Sequence, residues 1–150
     1  MIFIGAEHQG RVFTKELENF LKELSLDFSE TGEGLYSGED DYPDFAREVV
    51  IKLYEAWQSG DSEAKGILLC GSGQGMAIAA NRFKAVRAGL CWNKQEVELA
   101  RTDDDINVLC LPKFLFADET WKQIVKTFLE TEFKDAPKYQ RRIEKLDRLP

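Results

Sequence analysis

Short apolar runs alternate along this chain with longer segments in which apolar residues recur at helical spacing. Five runs predict strands, at residues 2–5, 26–29, 67–70, 86–91 and 107–111. Helical spacing predicts helices at residues 12–24, 75–82, 94–101, 118–130 and 138–146, and a further helix that starts at residues 41–44 and ends at Gly60. Strands that alternate with helices are typical of a parallel sheet flanked by helices, so the pattern predicts an α/β fold.

The turns that follow the predicted strands indicate where a site would lie. In an open parallel sheet the ligand crevice lies outside the carboxyl ends of the strands, where the strand order reverses. The turns at residues 5–10, 70–75, 91–93 and 111–114 all start at such ends, so we expect them to converge on one cleft. The run at 26–29 is predicted to be an edge strand, and the polar segment 31–40 a loop.

One of these turns, Cys70-Gly71-Ser72-Gly73-Gln74-Gly75, carries a thiol where a buried strand changes into a helix. Glycines let the backbone approach a ligand closely, and N–H groups at the start of the helix favour a developing oxyanion. A thiol in such a field ionises more readily, which makes Cys70 a candidate proton acceptor. The alternative is a plain buried thiol at a strand end, which is the interpretation preferred for Cys91 and Cys110.

Composition and charge narrow the class of protein. The chain has 150 residues, 43% of them hydrophobic, which suffices for one domain spanning residues 1–150. Its net charge of −7 disfavours a nucleic-acid partner, and no run approaches the roughly 20 apolar residues of a membrane span. The first apolar run is too short for a signal peptide, so we expect a cytoplasmic protein. Three cysteines and one histidine lack zinc-site spacing, so neither a metal nor a cofactor is expected.

Six motifs stand in the order and spacing of one known family. They are Gly5-Ala6-Glu7-His8-Gln9-Gly10, Asp41-Tyr42-Pro43-Asp44, residues 66–76, Ala79-Ala80-Asn81-Arg82, Val86-Arg87-Ala88 and Asn107-Val108-Leu109. Together they resemble the ribose-5-phosphate isomerase B / galactose-6-phosphate isomerase family over about the whole chain. The resemblance implies a three-layer α/β/α, Rossmann-like fold whose doubly wound sheet has five parallel strands. It also implies a homodimer or a dimer of dimers with active sites at the subunit interface.

The activity implied by the resemblance is metal-independent aldose–ketose isomerisation of a sugar or sugar phosphate through an enediolate. In that scheme Cys70 is the base, Ser72 exchanges a proton with the substrate oxygens, and backbone amides of residues 71–75 stabilise the enediolate. His8 resembles the family's histidine that contacts the substrate near its phosphate end. The implied substrate-binding residues are Glu7, His8, Gly71, Gly73, Gln74, Gly75, Asp104, Lys113, Lys138 and Arg142.

Several positions depart from the family's usual pattern. The His-Asn pair before the Asp-x-Asn-Val-Leu segment is here Asp103-Asp104, so Asp103 stands in for the histidine that assists ring opening. A carboxylate donates no proton at neutral pH unless its pKa is strongly raised, so Asp103 suits an acyclic or otherwise non-standard sugar better. Glu7 replaces an Asp, and Pro112-Lys113-Phe114 replaces the phosphate-binding Gly-Ser-Arg turn, which leaves Lys113, Lys138 and Arg142 as candidate phosphate ligands.

Two other functions are consistent with the residues. A catalytically degenerate family member would bind a sugar, or support a partner subunit, without turnover, as the replacements at Asp103, Asp104 and Phe114 suggest. A general anion-binding or redox module would use Cys70 as its reactive thiol.

Overall fold

The computed structural model describes residues 1–36 and 41–149. Within these residues, five parallel strands form one sheet in the order β2-β1-β3-β5-β4. The strands are β1 (Ile2–Ala6), β2 (Phe28–Glu30), β3 (Lys65–Cys70), β4 (Ala88–Leu90) and β5 (Val108–Pro112). The chain leaves β1 toward β2 on one side and returns to β3 on the other, so the strand order reverses between β1 and β3. The predicted doubly wound parallel sheet is confirmed, including β2 at its edge.

The helices flank this sheet. They are α1 (Thr14–Glu23), α2 (Tyr42–Gln58), α3 (Gln74–Ala80), α4 (Lys94–Asp104), α5 (Thr120–Glu130) and α6 (Pro137–Leu146). Short 3₁₀ helices at Arg11–Phe13, Glu33–Leu35 and Lys113–Ala117 were not predicted, and the second of them interrupts the predicted loop. The end of that loop, residues 37–40, lies outside the described residues. Along the described chain, each helix is too short or too polar to cross a membrane.

Alternation along the strands builds the two apolar layers. Ile67 and Leu69 of β3 point toward α1, α4 and α5, whereas Leu68 and Cys70 point toward α2 and α3. Buried side chains of the helices complete each layer, among them Leu17 and Leu21 of α1, Phe128 of α5, and Phe45, Val49 and Leu53 of α2. Because both faces of the sheet are covered, the central strands are continuous apolar runs, which is why they were recognisable in the sequence.

Strand β4 is shorter than the predicted run at 86–91, and two asparagine side chains bond the backbone at its start. The Asn107 side chain accepts a hydrogen bond from the Arg87 amide (2.8 Å) and donates one to the Ala85 carbonyl (2.8 Å). The Asn81 side chain bonds Ala88 in the same way. It donates to the Ala88 carbonyl and accepts from the Ala88 amide, each at 2.9 Å. These asparagines, which belong to the motifs of the sequence, therefore fix the backbone that leads into the edge strand.

The loop after β1 packs tightly against the end of β3. The Gly10 and Arg11 amides donate to the Glu7 carbonyl (2.9 Å each), which curls the loop back, and the Glu7 amide donates to the Leu69 carbonyl (3.3 Å). A Cβ atom added to Gly10 would lie closer than 3.0 Å to the Leu69 carbonyl oxygen. Backbone meets backbone there, so no side-chain rotation relieves the overlap.

We expect Gly10→Ala to lower the free energy of unfolding by about 1–3 kcal/mol, because the added methyl group forces the loop away from β3. Urea denaturation followed by circular dichroism measures the change. The matched control is Gly34→Ala, since an added Cβ at Gly34 meets nothing within 4 Å. Equal stability of the two variants would contradict the proposed close packing at Gly10.

Candidate active site

A buried carboxylate joins the loops that follow β1 and β3. Glu7 is 4% exposed, and its Oε1 accepts a hydrogen bond from the Gly71 amide at 3.0 Å. Its Oε2 lies 2.8 Å from Nδ1 of His8, whose ring is largely exposed. The two loops meet between β1 and β3, where the strand order reverses, as the sequence predicted. Glu7 therefore holds His8 and the Gly71 turn in one fixed arrangement.

Cys70 ends β3 next to these loops. It retains 9% of its exposure and packs at the margin of the layer formed with α2 and α3. The backbone then turns sharply at Gly73, whose φ of 77° lies in the left-handed region that favours glycine. Ser72 is exposed, and its Oγ accepts a hydrogen bond from the Gln74 amide at 3.3 Å. The hydroxyl proton of Ser72 thus remains available to a ligand.

The glycines of the turn make room for the chain's own side chains. A Cβ atom on Gly71 would lie 2.9 Å from Oε1 of Gln9, and one on Gly75 would lie 2.8 Å from the ring of Tyr42. The Gly71 amide is bonded to Glu7 and the Gln74 amide to Ser72. Because those two N–H groups are already engaged, fewer of the predicted backbone donors remain for an oxyanion. Amides of Ser72 and Gly73 have no partner in the part of the chain that the structure describes.

Lys113 reaches the same turn from the end of β5. Its amide donates to the Gly71 carbonyl at 3.2 Å, and its ammonium donates to Oε1 of Gln9 at 2.8 Å. The carboxyl ends of the strands therefore bring together Glu7, His8, the Cys70 turn and Lys113. Gln9 was not among the residues selected from the sequence, although it stands between His8 and Gly10 in the first motif. Only the fold shows that its side chain lies over Gly71.

The other two cysteines are more deeply buried than Cys70. Burial raises the pKa of Cys91 to about 12, and burial also raises the pKa of Cys110 far above its usual range. Both are therefore protonated at neutral pH, as expected for core thiols. Among the described residues, no group of three or more histidine, cysteine, aspartate or glutamate side chains is arranged to hold a metal ion.

The remaining predicted site residues form a second group around Tyr139. Asp103, in the last turn of α4, accepts hydrogen bonds from Lys134 Nζ (2.7 Å) and from the Thr102 hydroxyl (3.0 Å). Tyr139 is 7% exposed, and three cations surround its ring: Lys138 (4.4 Å), Lys134 (5.4 Å) and Arg142 (5.7 Å from the ring centroid). Asp104 is exposed beside Asp103. Lys134 and Tyr139 were missed, because their roles depend on how α6 packs against α4.

Within one chain, the two groups lie at opposite ends of the strands. The Cys70 group is at the carboxyl ends, and the Tyr139 group is near the amino end of β5. Helix α4 runs back from the carboxyl end of β4, and Asp103 and Asp104 precede the start of β5, where Val108 pairs with Gly66. Cys70 instead pairs with Pro112 at the end of β5. Four residues of strand separate these levels, or about 13 Å along the sheet. A single copy of the chain therefore does not bring Asp103 to Cys70.

The match to known proteins agrees with this architecture. A family model described as Ribose/Galactose Isomerase matches residues 2–146. The chain belongs to the ribose/galactose isomerase family. The family predicted from the sequence motifs is thereby confirmed, and the match includes both groups of candidate residues.

Individual members of the ribose/galactose isomerase family align over nearly the full chain. A probable ribose-5-phosphate isomerase B from Mycoplasma genitalium is 36% identical over 147 residues, which cover 98% of this chain and 93% of the relative. Ribose-5-phosphate isomerase B from Escherichia coli is 31% identical over 144 residues, or 95% of this chain and 91% of that protein.

Solved structures of family members superpose closely on this chain. A crystal structure of a ribose 5-phosphate isomerase from Thermotoga maritima has a TM-score of 0.84 at 38% identity, covering 99% of this chain and 97% of that one. The Mycoplasma genitalium enzyme, crystallised with bound ribulose-5-phosphate, has a TM-score of 0.85 at 37% identity, covering 98% of this chain and 93% of that one. The three-layer fold is thus shared with these two family members.

One departure from the family pattern has a direct electrostatic consequence. The hydrogen bond from Lys134, with smaller contributions from Thr102 and Tyr139, lowers the pKa of Asp103 below its usual range. The same contact raises the pKa of Lys134. Asp103 is therefore an anion at neutral pH, which makes it unsuitable as a proton donor in the isolated chain.

We expect Lys134→Met to raise the pKa of Asp103 toward the ordinary value of about 3.9, because the ammonium that favours the anion is removed. A carboxyl ¹³C NMR titration measures this pKa directly. Because the folded-state value is depressed, the contribution of Asp103 to stability is present above the unfolded pKa and is lost as pH falls through the folded one. Lys126→Met is the control, since Lys126 pairs with Glu130 on α5. An unchanged titration in Lys134→Met would show that the ion pair does not persist in solution.

Proposed function

We propose that this protein is an aldose–ketose isomerase that acts on a sugar phosphate. The observation that carries the proposal is the meeting of the Cys70 turn with Glu7, His8 and Lys113 at the point where the strand order reverses. Adjoining loops there carry a thiol (Cys70), a hydroxyl (Ser72), an imidazole (His8) and an ammonium group (Lys113). Proton transfer on an anionic sugar requires groups of these kinds. The names of the relatives support the same activity.

The proposed reaction moves one proton between neighbouring carbons. The Cys70 thiolate takes the proton from the carbon next to the carbonyl, and the electron pair of that C–H bond passes through the carbon–carbon bond onto the carbonyl oxygen. The amides of Ser72 and Gly73 stabilise the resulting enediolate, and the Ser72 hydroxyl exchanges a proton with its oxygens. The thiol then returns its proton to the neighbouring carbon, which regenerates the thiolate. The protein supplies every group in this scheme, so we propose that it needs no metal ion.

We further propose that the preferred substrate is open-chain. Opening a sugar ring requires a proton donor at the ring oxygen, and the Asp103 carboxylate, ionised by its contact with Lys134, does not supply one at neutral pH. A substrate that presents its carbonyl without a ring avoids that step. The cytoplasmic location and the single domain predicted from the sequence stay predictions.

We propose that a second copy of the chain completes the site. The Tyr139 cluster places Asp103, Lys138 and Arg142 about one strand length from Cys70 in the same chain, so these residues act on a sugar bound at Cys70 only from another subunit. Lys138 and Arg142 are cations on an otherwise acidic protein, and two such groups suit a phosphate. The proposed assembly is a homodimer with two shared sites, alone or paired into a dimer of dimers.

We expect the protein to interconvert aldose and ketose phosphates, and to act faster on open-chain tetrose phosphates than on ring-forming pentose and hexose phosphates. Cys70→Ala is expected to lower kcat by about 10²–10⁴-fold, since a positioned general base contributes that much. Coupled assays over a panel of sugar phosphates and free sugars, with and without EDTA, measure both effects. Cys91→Ala is the matched control, because Cys91 is a buried thiol of the same sheet away from the turn.

Three outcomes of this panel would count against the proposal. Full activity of Cys70→Ala would remove Cys70 as the base, and loss of activity in EDTA would remove the metal-independent scheme. Calorimetric binding of a sugar phosphate without turnover would instead favour a catalytically degenerate family member. The replacement at Asp103 is the reason for considering that alternative. Circular dichroism of Cys70→Ser, in which the side chain keeps its shape, separates loss of the thiol from loss of folding.

Mixing two inactive variants tests whether each site is shared. Cys70→Ala and Arg142→Ala each disable one half of the proposed site, and a mixed dimer contains one intact site. After unfolding and refolding together in equal amounts, the mixture should recover about a quarter of the wild-type activity, because half of the dimers are mixed and half of their sites are intact. The control mixes Cys70→Ala with Ser72→Ala, whose changes lie in the same half.

Recovery only in the first mixture supports a shared site. Absence of recovery in both, with dimers shown by light scattering, would mean that each site takes Cys70 and Arg142 from the same chain, and would contradict the shared site.

A further inference from the structure

We propose that Gln9 is a positioning residue that holds the Lys113 ammonium over the Gly71 turn, where it binds an anionic oxygen of the substrate. The inference rests on the proposed function and adds a residue to its anion-binding machinery. It concerns the chain's own side of the crevice, as distinct from the cations around Tyr139.

The geometry places Gln9 between Lys113 and the turn. Lys113 Nζ donates to Gln9 Oε1 at 2.8 Å, and the same oxygen lies 2.9 Å from the position that a Cβ atom on Gly71 would occupy. The Lys113 backbone is anchored as well, since its amide donates to the Gly71 carbonyl at 3.2 Å. The long lysine side chain is thus fixed at both ends, next to the residue that follows Cys70.

The partner of Lys113 differs from those of the six lysines for which the described chain provides an ion pair. Lysines 15, 52, 65, 122, 126 and 134 each lie within 4.0 Å of a carboxylate that offsets their charge. Lys113 is instead bonded to a neutral amide, and no carboxylate lies within ion-pair distance of it among residues 1–36 and 41–149. No carboxylate of the described chain therefore offsets its positive charge beside the Gly71 turn, in a protein whose net charge is −7.

An ammonium group has three N–H donors, and Gln9 uses one of them. The other two can donate to an anionic oxygen while Gln9 keeps the group in place. Hydrogen bonds between an ammonium and an anion are stronger than those to a neutral amide, so the anion gains most of the interaction. The amide oxygen of Gln9 thereby reduces the side-chain entropy that Lys113 would otherwise lose on binding.

The test measures inorganic phosphate binding by isothermal titration calorimetry, and KM and kcat for the best sugar phosphate of the panel. The variants are Gln9→Ala, Gln9→Glu, Lys113→Met and the double variant of Gln9→Ala with Lys113→Met. Gln123→Ala, an exposed glutamine on α5, is the matched control. All measurements use the full chain, with folding checked by circular dichroism.

We expect Gln9→Ala to raise the Kd for phosphate and the KM by about three- to fivefold while kcat changes by less than about twofold, since positioning of a binding group acts on uniform binding. Gln9→Glu should raise both by about tenfold, because a carboxylate cancels the charge of Lys113 and repels the anion. In the Lys113→Met background, Gln9→Ala should have no further effect.

Unchanged phosphate binding in Gln9→Glu, or equal weakening by Gln9→Ala with and without Lys113, would overturn the inference. So would the absence of phosphate binding by the wild-type chain. Phosphate binding that depends on both residues in a protein that isomerises no sugar would keep the inference and refute the proposed function. Isomerase activity that is indifferent to Gln9 would do the reverse.

Discussion

The hydrogen bond between the buried Glu7 carboxylate and the Gly71 amide is the contact on which the arrangement of loops at the carboxyl ends of the strands depends. A buried carboxylate is costly unless its oxygens are bonded, and Glu7 meets this requirement with one backbone donor and one histidine. The bond spans loops that are 64 residues apart in sequence. It fixes the turn after Cys70 relative to His8, and the tight packing of Gly10 on Leu69 leaves the loop no other position.

This constraint also decides which backbone groups can serve chemistry. The Gly71 amide belongs to Glu7 and the Gln74 amide to Ser72, so the glycine-rich turn is in part a structural element. Its glycines admit Gln9 and Tyr42 as close neighbours. A glycine-rich turn at the end of a strand is often interpreted as a cradle for a ligand, but here the chain's own side chains fill part of that space.

The three cysteines occupy different places relative to the strands of the sheet. Cys110 lies in the middle of β5 and Cys91 just beyond β4, and burial raises the pKa of both thiols. Cys70 ends β3, beside the loops that follow β1 and β5. The cationic side chains also differ in the partners that they contact. Six lysines, Lys134 among them, are paired with carboxylates, whereas Lys113 contacts the Gln9 amide, and Lys138 and Arg142 contact the Tyr139 ring.

The elements and their order were predictable because each depends on local sequence. Buried strands such as β3 are continuous apolar runs, and helices such as α2 carry apolar residues at a spacing of three and four. The limits were less predictable at β4, where Asn81 and Asn107 bond the backbone at its start, and at residues 113–117, where a 3₁₀ helix follows β5. Those side-chain bonds reach across 7 to 22 residues, so no local pattern announces them.

By itself, the sequence determined the fold class, the family and the end of the strands at which Cys70, Glu7, His8 and Lys113 lie. These follow from periodicity and from motifs in register, which any chain folding as an open parallel sheet must bring to its strand ends. Only the tertiary structure decided that Glu7 engages the Gly71 amide, that Gln9 holds Lys113, and that Asp103 pairs with Lys134 at the opposite end. The physical reason is that hydrogen bonds and ion pairs act over about 3 Å, and which side chains come that close is fixed by packing between distant segments.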